Sequence, residues 1–222
     1  MDWTLVSNLS AQGGGVDDLY YLILVITGIA FVLVEVGILW FVVRYRNRDA
    51  DYTHGSNRLE VLWTAVPALV MIFLGIYSGR VWASLKSADA APADAFTVEA
   101  QVKQFEWNFV YPGADGELGT EDDFTERNHL HVPVERPVKV RLVSQDVIHS
   151  FFIPELRVKQ DAVPGMVTSV WFEATEPGSL ELSCAELCGL GHYRMRSDVT
   201  IHEPGQFATW HADRSTEASG GA

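Results

Sequence analysis

Apolar positions are unevenly spread along this chain. Two continuous apolar runs lie near its start, Tyr20–Val43 and Val61–Gly79, and beyond them apolar and polar residues alternate in short stretches. The first run is 24 residues with a single charge, Glu35, and the second is 19 residues with none. At about 1.5 Å per residue they make helices of roughly 36 and 28 Å, against a hydrocarbon core of about 30 Å. Both runs are apolar on every face, so they read as membrane-spanning helices, about 20–43 and 61–82, rather than core helices of a soluble protein. Trp40, Trp63 and Trp82 stand near the ends, where interfacial aromatics collect. Pro67, one turn into the second run, predicts a kink or a tolerated break. The first run lacks the basic flank and small-residue cleavage site of a cleaved signal peptide.

From Phe96 the period changes to two. Candidate strands are Phe96–Lys103, Phe105–Val110, Leu130–Val134, Val138–Val143, Val167–Phe172, Leu180–Ser183 and Arg196–Ile201. Turn pairs such as Pro112-Gly113, Asp115-Gly116, Pro164-Gly165 and Pro177-Gly178 separate them. Many short strands punctuated in this way predict a sandwich or barrel. The expected organisation is a helical hairpin with its leading segment over 1–86, a small polar linker over 87–94, a β domain over 95–205 and a tail over 206–222. The Ser-, Gly- and Ala-rich end from Asp213 is expected to be disordered.

Charge then orients the hairpin. The loop after the first helix carries Arg44, Arg46, Arg48 and Arg58, and the segment before it carries only the acids Asp2, Asp17 and Asp18. By the positive-inside rule the loop is cytoplasmic, which places both termini and the β domain outside. Residues 1–86 hold 6 basic and 7 acidic groups, net −1, and residues 87–222 hold 10 and 22, net −12, which together give the −13 of the whole chain. So acidic an exported part argues against a nucleic-acid partner and favours a cationic one, with a solubilising acidic surface as the alternative that composition alone does not separate from it.

Both cysteines fall in one stretch, Cys184-Ala-Glu-Leu-Cys188-Gly-Leu-Gly-His192-Tyr-Arg-Met195, a Cys-x3-Cys-x3-His-x2-Met spacing. Thiolates, an imidazole and a thioether together suit copper. His149, 35 positions upstream, offers a second imidazole. Two thiolates can bridge two copper ions, with one His for each, Met195 as a weak ligand to one and a loop carbonyl such as that of Glu186 for the other. Gly189 and Gly191 let the chain turn tightly enough. A Cys184–Cys188 disulfide and a two-Cys, two-His zinc site remain alternatives at this stage. His129 and His131 alternate on one strand face, where they could chelate a metal or serve packing. The acids between Gly113 and Asn128 could extend a docking face, bind a cation such as Ca²⁺ or form a solvated loop.

On these residues the chain resembles subunit II of the haem–copper cytochrome c oxidases. The resemblance is carried by the hairpin, by the run Asn57 to Pro67, by Gln104-Phe105-Glu106-Trp107, by Asp146-Val147-Ile148-His149-Ser150-Phe151 with Pro154, Lys159, Asp161, Pro164 and Gly165, and by the Cys184–Met195 loop. It implies a two-helix transmembrane hairpin plus an all-β, cupredoxin-like Greek-key barrel. It implies a bacterial or archaeal-type plasma membrane, or an equivalent energy-transducing membrane, with the C-terminal domain on the outer, periplasmic side. It further implies a dinuclear copper centre, CuA, held by His149, Cys184, the Glu186 carbonyl, Cys188, His192 and Met195. That centre would take electrons from a c-type cytochrome and pass them to haem in subunit I, where oxygen is reduced and protons are pumped. Implied partners are subunit I, other oxidase subunits and membrane lipid. The Glu186 side chain would reach a Mg or Mn ion shared with subunit I. Glu60 matches an acid near a proton pathway, and is equally an ordinary first-turn helix acid. The family commonly has Trp at the first aromatic of the Gln-aromatic-x-aromatic segment as electron acceptor. Here it is Phe105, with Trp107 kept, so both are candidates for the input route, against ordinary barrel packing.

Overall fold

The computed structural model describes residues 6–49, 52, 54–87 and 90–220. The two apolar runs form α1 (Gly14–Tyr45) and α2 (Asn57–Lys86), with mean hydropathies of 2.8 and 2.1 over their most apolar windows. Among the described residues neither helix buries a side chain, as expected of segments solvated by lipid. Each runs beyond its apolar stretch at both ends, because helix is the cheapest way to satisfy the backbone through the interface. Asp17 and Glu60 lie in the first turns and Arg44 and Lys86 in the last, where each charge complements the helix dipole. The expected break at Pro67 does not end α2, which is one helix from Asn57 to Lys86.

The remaining elements are β1 (Phe96–Lys103), β2 (Glu106–Tyr111), β3 (Phe124–Arg127), β4 (His129–Pro133), β5 (Val138–Ser144), β6 (His149–Ile153), β7 (Val158–Ala162), β8 (Val167–Phe172), β9 (Gly178–Cys184), β10 (Arg196–His202) and α3 (Pro204–Gly220). They form two five-stranded sheets, ordered β3-β2-β1-β5-β8 and β4-β10-β9-β6-β7. The pairs β1–β5 and β4–β10 are parallel, the rest antiparallel. Isolated bridges Ser144–Pro164 and Val134–Ala174 join chain leaving one sheet to chain leaving the other. The expected hairpin and cupredoxin-like β domain are both present. Alternation fills the space between the sheets: Val98, Ala100 and Val102 of β1, Trp107, Phe109 and Tyr111 of β2 and Val138, Val140 and Leu142 of β5 face Leu130, Val132, Phe151, Ile153, Leu182, Val199 and Ile201.

Two regions depart from expectation. The segment before α1 belongs to the β domain: Leu9 N–H donates to Glu155 O at 2.8 Å, Ala11 N–H to Glu173 O at 3.0 Å and Thr175 N–H to Leu9 O at 3.0 Å. The second departure is a correction. The tail expected to be disordered from Asp213 forms the second half of α3, which reaches Gly220, while residues 221–222 lie outside the described residues. Phe207, Trp210, His211, Arg214 and Ser215 recur at helical spacing, and Phe207 and Ser215 are buried against the sandwich, so packing overrides the weak propensity of Ser and Gly.

Candidate metal centre

β9 ends at Cys184 and β10 begins at Arg196, so the ligand stretch is one loop between adjacent antiparallel strands. The loop is closed by Cys184 N–H to Met195 O at 3.0 Å, and a short 3₁₀ turn, His192–Arg194, tightens its end. His149 opens β6, the other neighbour of β9, with Phe151 opposite Cys184. Ala185 N–H donates to Ser150 O at 3.0 Å and fixes the loop on β6.

The structure brings all six expected donors together. The two Sγ atoms lie 3.9 Å apart, far beyond a disulfide bond, and both thiols are free. Cys184 Sγ is 4.0 Å from His149 Nδ1 and 3.3 Å from the Glu186 carbonyl. Cys188 Sγ is 3.7 Å from His192 Nδ1 and 3.6 Å from Met195 Sδ. The donors thus fall into two halves, each with a thiol, an imidazole and a weaker ligand. Six donors are two more than a tetrahedral zinc ion accepts. Two sulfurs sharing an ion at about 2.3 Å each can be at most about 4.6 Å apart, and this pair satisfies that limit. His149, Cys184, Cys188 and Met195 are buried, whereas the Glu186 side chain is exposed.

Electrostatics prepare the thiols. Burial opposes ionisation of Cys184, but hydrogen bonds with His149 and the Glu186 backbone outweigh it and bring the thiol down to about 6. Burial and the charge on Cys184 push Cys188 up to about 12. The pair therefore gives up its first proton readily and its second reluctantly, the behaviour of two anions 3.9 Å apart without a cation between them.

Several supporting residues went unassigned in the sequence. Asp146 Oδ1 accepts from His149 Nε2 at 2.8 Å, and its Oδ2 accepts from Gln104 N–H at 2.7 Å. That bond leaves Nδ1 of His149 facing the thiol. The three-residue step from Asp146 to His149 was the available signal. The Gln104 amide donates to the Cys188 carbonyl. A Cβ on Gly191 would lie 2.5 Å from Phe105 Cδ2, so Gly191 is needed for close approach of the ring, not for turning, since its φ is −92°; the turn falls to Gly189, with φ +135°.

The remaining candidates are placed differently. Phe105 is partly buried against the loop backbone. Trp107 is fully buried, its ring 6.4 Å from that of His149 and 6.0 Å from that of Phe151. Glu60 lies in the first turn of α2. His131 pairs with His202 beneath α3, a partner on another strand that the sequence spacing did not reveal. In the acidic loop, Asp115, Asp122 and Asp123 accept from the loop's own N–H groups.

Residues 3–81 match the family described as cytochrome c oxidase subunit II, transmembrane domain, and residues 99–201 match its periplasmic domain. An alternative cytochrome c oxidase subunit 2 from Bradyrhizobium diazoefficiens is 34% identical, over 97% of this chain and 85% of that protein. Cytochrome c oxidase subunit 2 from Thermostichus vulcanus is 32% identical, over 93% and 77%. The crystal structure of the periplasmic domain of subunit II of cytochrome oxidase from Bradyrhizobium japonicum superposes with a TM-score of 0.51 at 29% identity, covering 57% of this chain and 98% of that one.

Proposed function

The chain belongs to the cytochrome c oxidase subunit II family, and from that premise we propose that it is the electron-input subunit of a terminal oxidase, its six clustered donors holding a dinuclear CuA centre. It is a two-pass membrane protein with a periplasmic C-terminal domain. The membrane of this proposal is a bacterial or archaeal-type plasma membrane. Copper held there would supply one-electron chemistry between a c-type cytochrome and haem in subunit I, the subunit in which this reading places oxygen reduction to water and proton pumping.

The observation that carries this reading is the division of the donors around two sulfurs 3.9 Å apart. Cys184 with His149 and the Glu186 carbonyl would hold one ion, and Cys188 with His192 and Met195 the other. Because the chain itself supplies all six groups, it offers no position for a substrate, as suits electron transfer rather than catalysis on a bound molecule. Asp146 orients His149, and Gln104 steadies the loop through the Cys188 carbonyl. Leu187, Leu190 and Tyr193 of the loop are 78%, 97% and 81% exposed, an apolar rim at which a partner can shed water above the site. Phe105, packed on the loop, takes the place of the input aromatic, and Trp107 behind His149 packs the ligand. The exposed Glu186 carboxylate is free to reach a Mg or Mn ion at the boundary with subunit I, and Glu60 is the proposed acid near a proton pathway.

Copper analysis and electron paramagnetic resonance of the loaded full chain test the proposal. Two coppers per chain and a mixed-valence signal shared over both are expected. Cys184→Ser should lose that signal and stop cytochrome c oxidation in the assembled oxidase while the hairpin still inserts. A single-copper spectrum, or full turnover in Cys184→Ser, refutes the assignment.

A further inference from the structure

Four histidines gather away from the copper ligands, where α3 lies on the outer face of β4 and β10. His131 Nδ1 and His202 Nε2 are 2.8 Å apart, and the rings of His129 and His131 have centroids 3.9 Å apart. Trp210 of α3 stacks on His131 at 4.2 Å and 18° and on His202 at 5.9 Å and 20°. The same indole meets Tyr111 and Phe124 at 5.1 and 5.8 Å, so one side chain fastens the helix to both sheets. His211, one residue on, packs its ring against Phe96, Phe124 and Phe207. His129 Nε2 is engaged by Thr200 Oγ1 at 2.8 Å.

Two neutral imidazoles at 2.8 Å are joined by one N–H···N bond; a first added proton goes to the outer nitrogen and leaves that bond, but protonating both rings would place N–H against N–H under the indole. We propose that α3 is an acid-released clasp, held on β4 and β10 through the hydrogen-bonded His131–His202 pair and Trp210, and let go when both rings of that pair are protonated.

The surroundings favour the neutral form. Burial, then His129, His202 and Arg214, bring His131 down to about 3, and burial followed by His129 lowers His202. Burial likewise lowers His211 on the helix, with Arg136 adding to it. The other groups around the pair are Tyr111 of β2, whose hydroxyl is committed to the His131 backbone, and Glu126 of β3, whose carboxylate is taken by Arg214 Nε at 2.6 Å. Glu203 and Asp213 line the outer side of Trp210 and face solvent. With α3 released, the same imidazoles would titrate near the ordinary value of about 6.5. A group lowered in the docked state binds its proton preferentially in the released one. Docking is therefore at full strength above about pH 6.5 and weakens as the pH falls below it. Release uncovers Trp210, Phe207 and the outer edges of Tyr111 and Phe124 on the periplasmic side.

Amide hydrogen exchange of the full chain in lipid nanodiscs, read as protection factors at pH 7.5, 6.5, 5.5 and 4.5, tests the clasp. Protection across 207–215 should be level above pH 6.5 and then fall about tenfold per pH unit for each proton taken up, while β1 amides stay level. In the double variant His131→Gln/His202→Gln the fall should shrink to the share of His211, about tenfold per pH unit at most. Level protection of α3 in the unaltered chain overturns the proposal, as does a fall shared equally with β1. An unchanged fall in the double variant, which would point to Glu126 or His211 instead, also overturns it.

Discussion

Asp146 decides how His149 can act. Its carboxylate is held below the usual range: burial works against this, but the bonds with His149 and the Gln104 and Val147 amides prevail. A carboxylate on Nε2 fixes the tautomer and turns Nδ1 toward Cys184. Asp146→Asn should keep the fold and weaken copper affinity on the order of 10–100-fold, measured by competition with a chelator of known affinity. Equal affinity would show that the ring is oriented by packing against Trp107 alone. Gly191→Ala makes a different demand. Its Cβ would enter the Phe105 ring, so a loss of about 1–3 kcal/mol in denaturant unfolding is expected. Phe105→Ala in the same chain should recover part of it, and strictly additive losses would refute the contact. The donors were legible at this scale because soft ligands at fixed spacing in one loop have few other uses. Asp146 and Gln104 were not, since an acid and an amide are common on any surface and their partners are set by the fold.

Among the elements, β2 and β4 belong to different sheets, and the Tyr111 hydroxyl joins them. It donates to His131 O at 3.0 Å and accepts from His131 N–H at 2.6 Å, in full burial. Tyr111→Phe keeps the ring stack on Phe124 but strands a buried N–H and C=O, which should cost about 1–3 kcal/mol. Denaturation of the two chains by urea, followed by tryptophan emission, measures it, and a change below a few tenths would mean that water replaces the hydroxyl. Strands were legible where alternation was long, as in β1 and β5. β3, β6 and β7 were missed, being four or five residues long and set among turns and polar groups. The helical repeat of α3 was present as Phe207, Trp210, His211, Arg214 and Ser215. Composition masked it, because Gly and Ser are weak helix formers and only the sheet beneath explains why they are helical.

For the whole molecule the largest physical asymmetry is charge. The hairpin region carries −1 and the remainder −12, yet the loop of the proposed copper donors, apart from Glu186, is rimmed by the apolar Leu187 and Leu190 and by Tyr193. These features suit two stages of an encounter. A diffuse negative field acts over about the Debye length, roughly 10 Å at 0.1 M salt, and would gather the proposed cytochrome donor if that donor is basic. The apolar rim acts only at contact, and salt does not screen it. In the assembled oxidase, raising ionic strength from about 10 to 200 mM should therefore lower kcat/KM for a basic c-type cytochrome by about tenfold or more, with kcat at saturation little changed. Leu190→Ala should instead slow reduction similarly at both salt concentrations, because the group it removes carries no charge. If both parameters ignored salt, the acidic surface would serve solubility alone. If Leu190→Ala changed only the salt slope, the rim would not be where the two proteins touch.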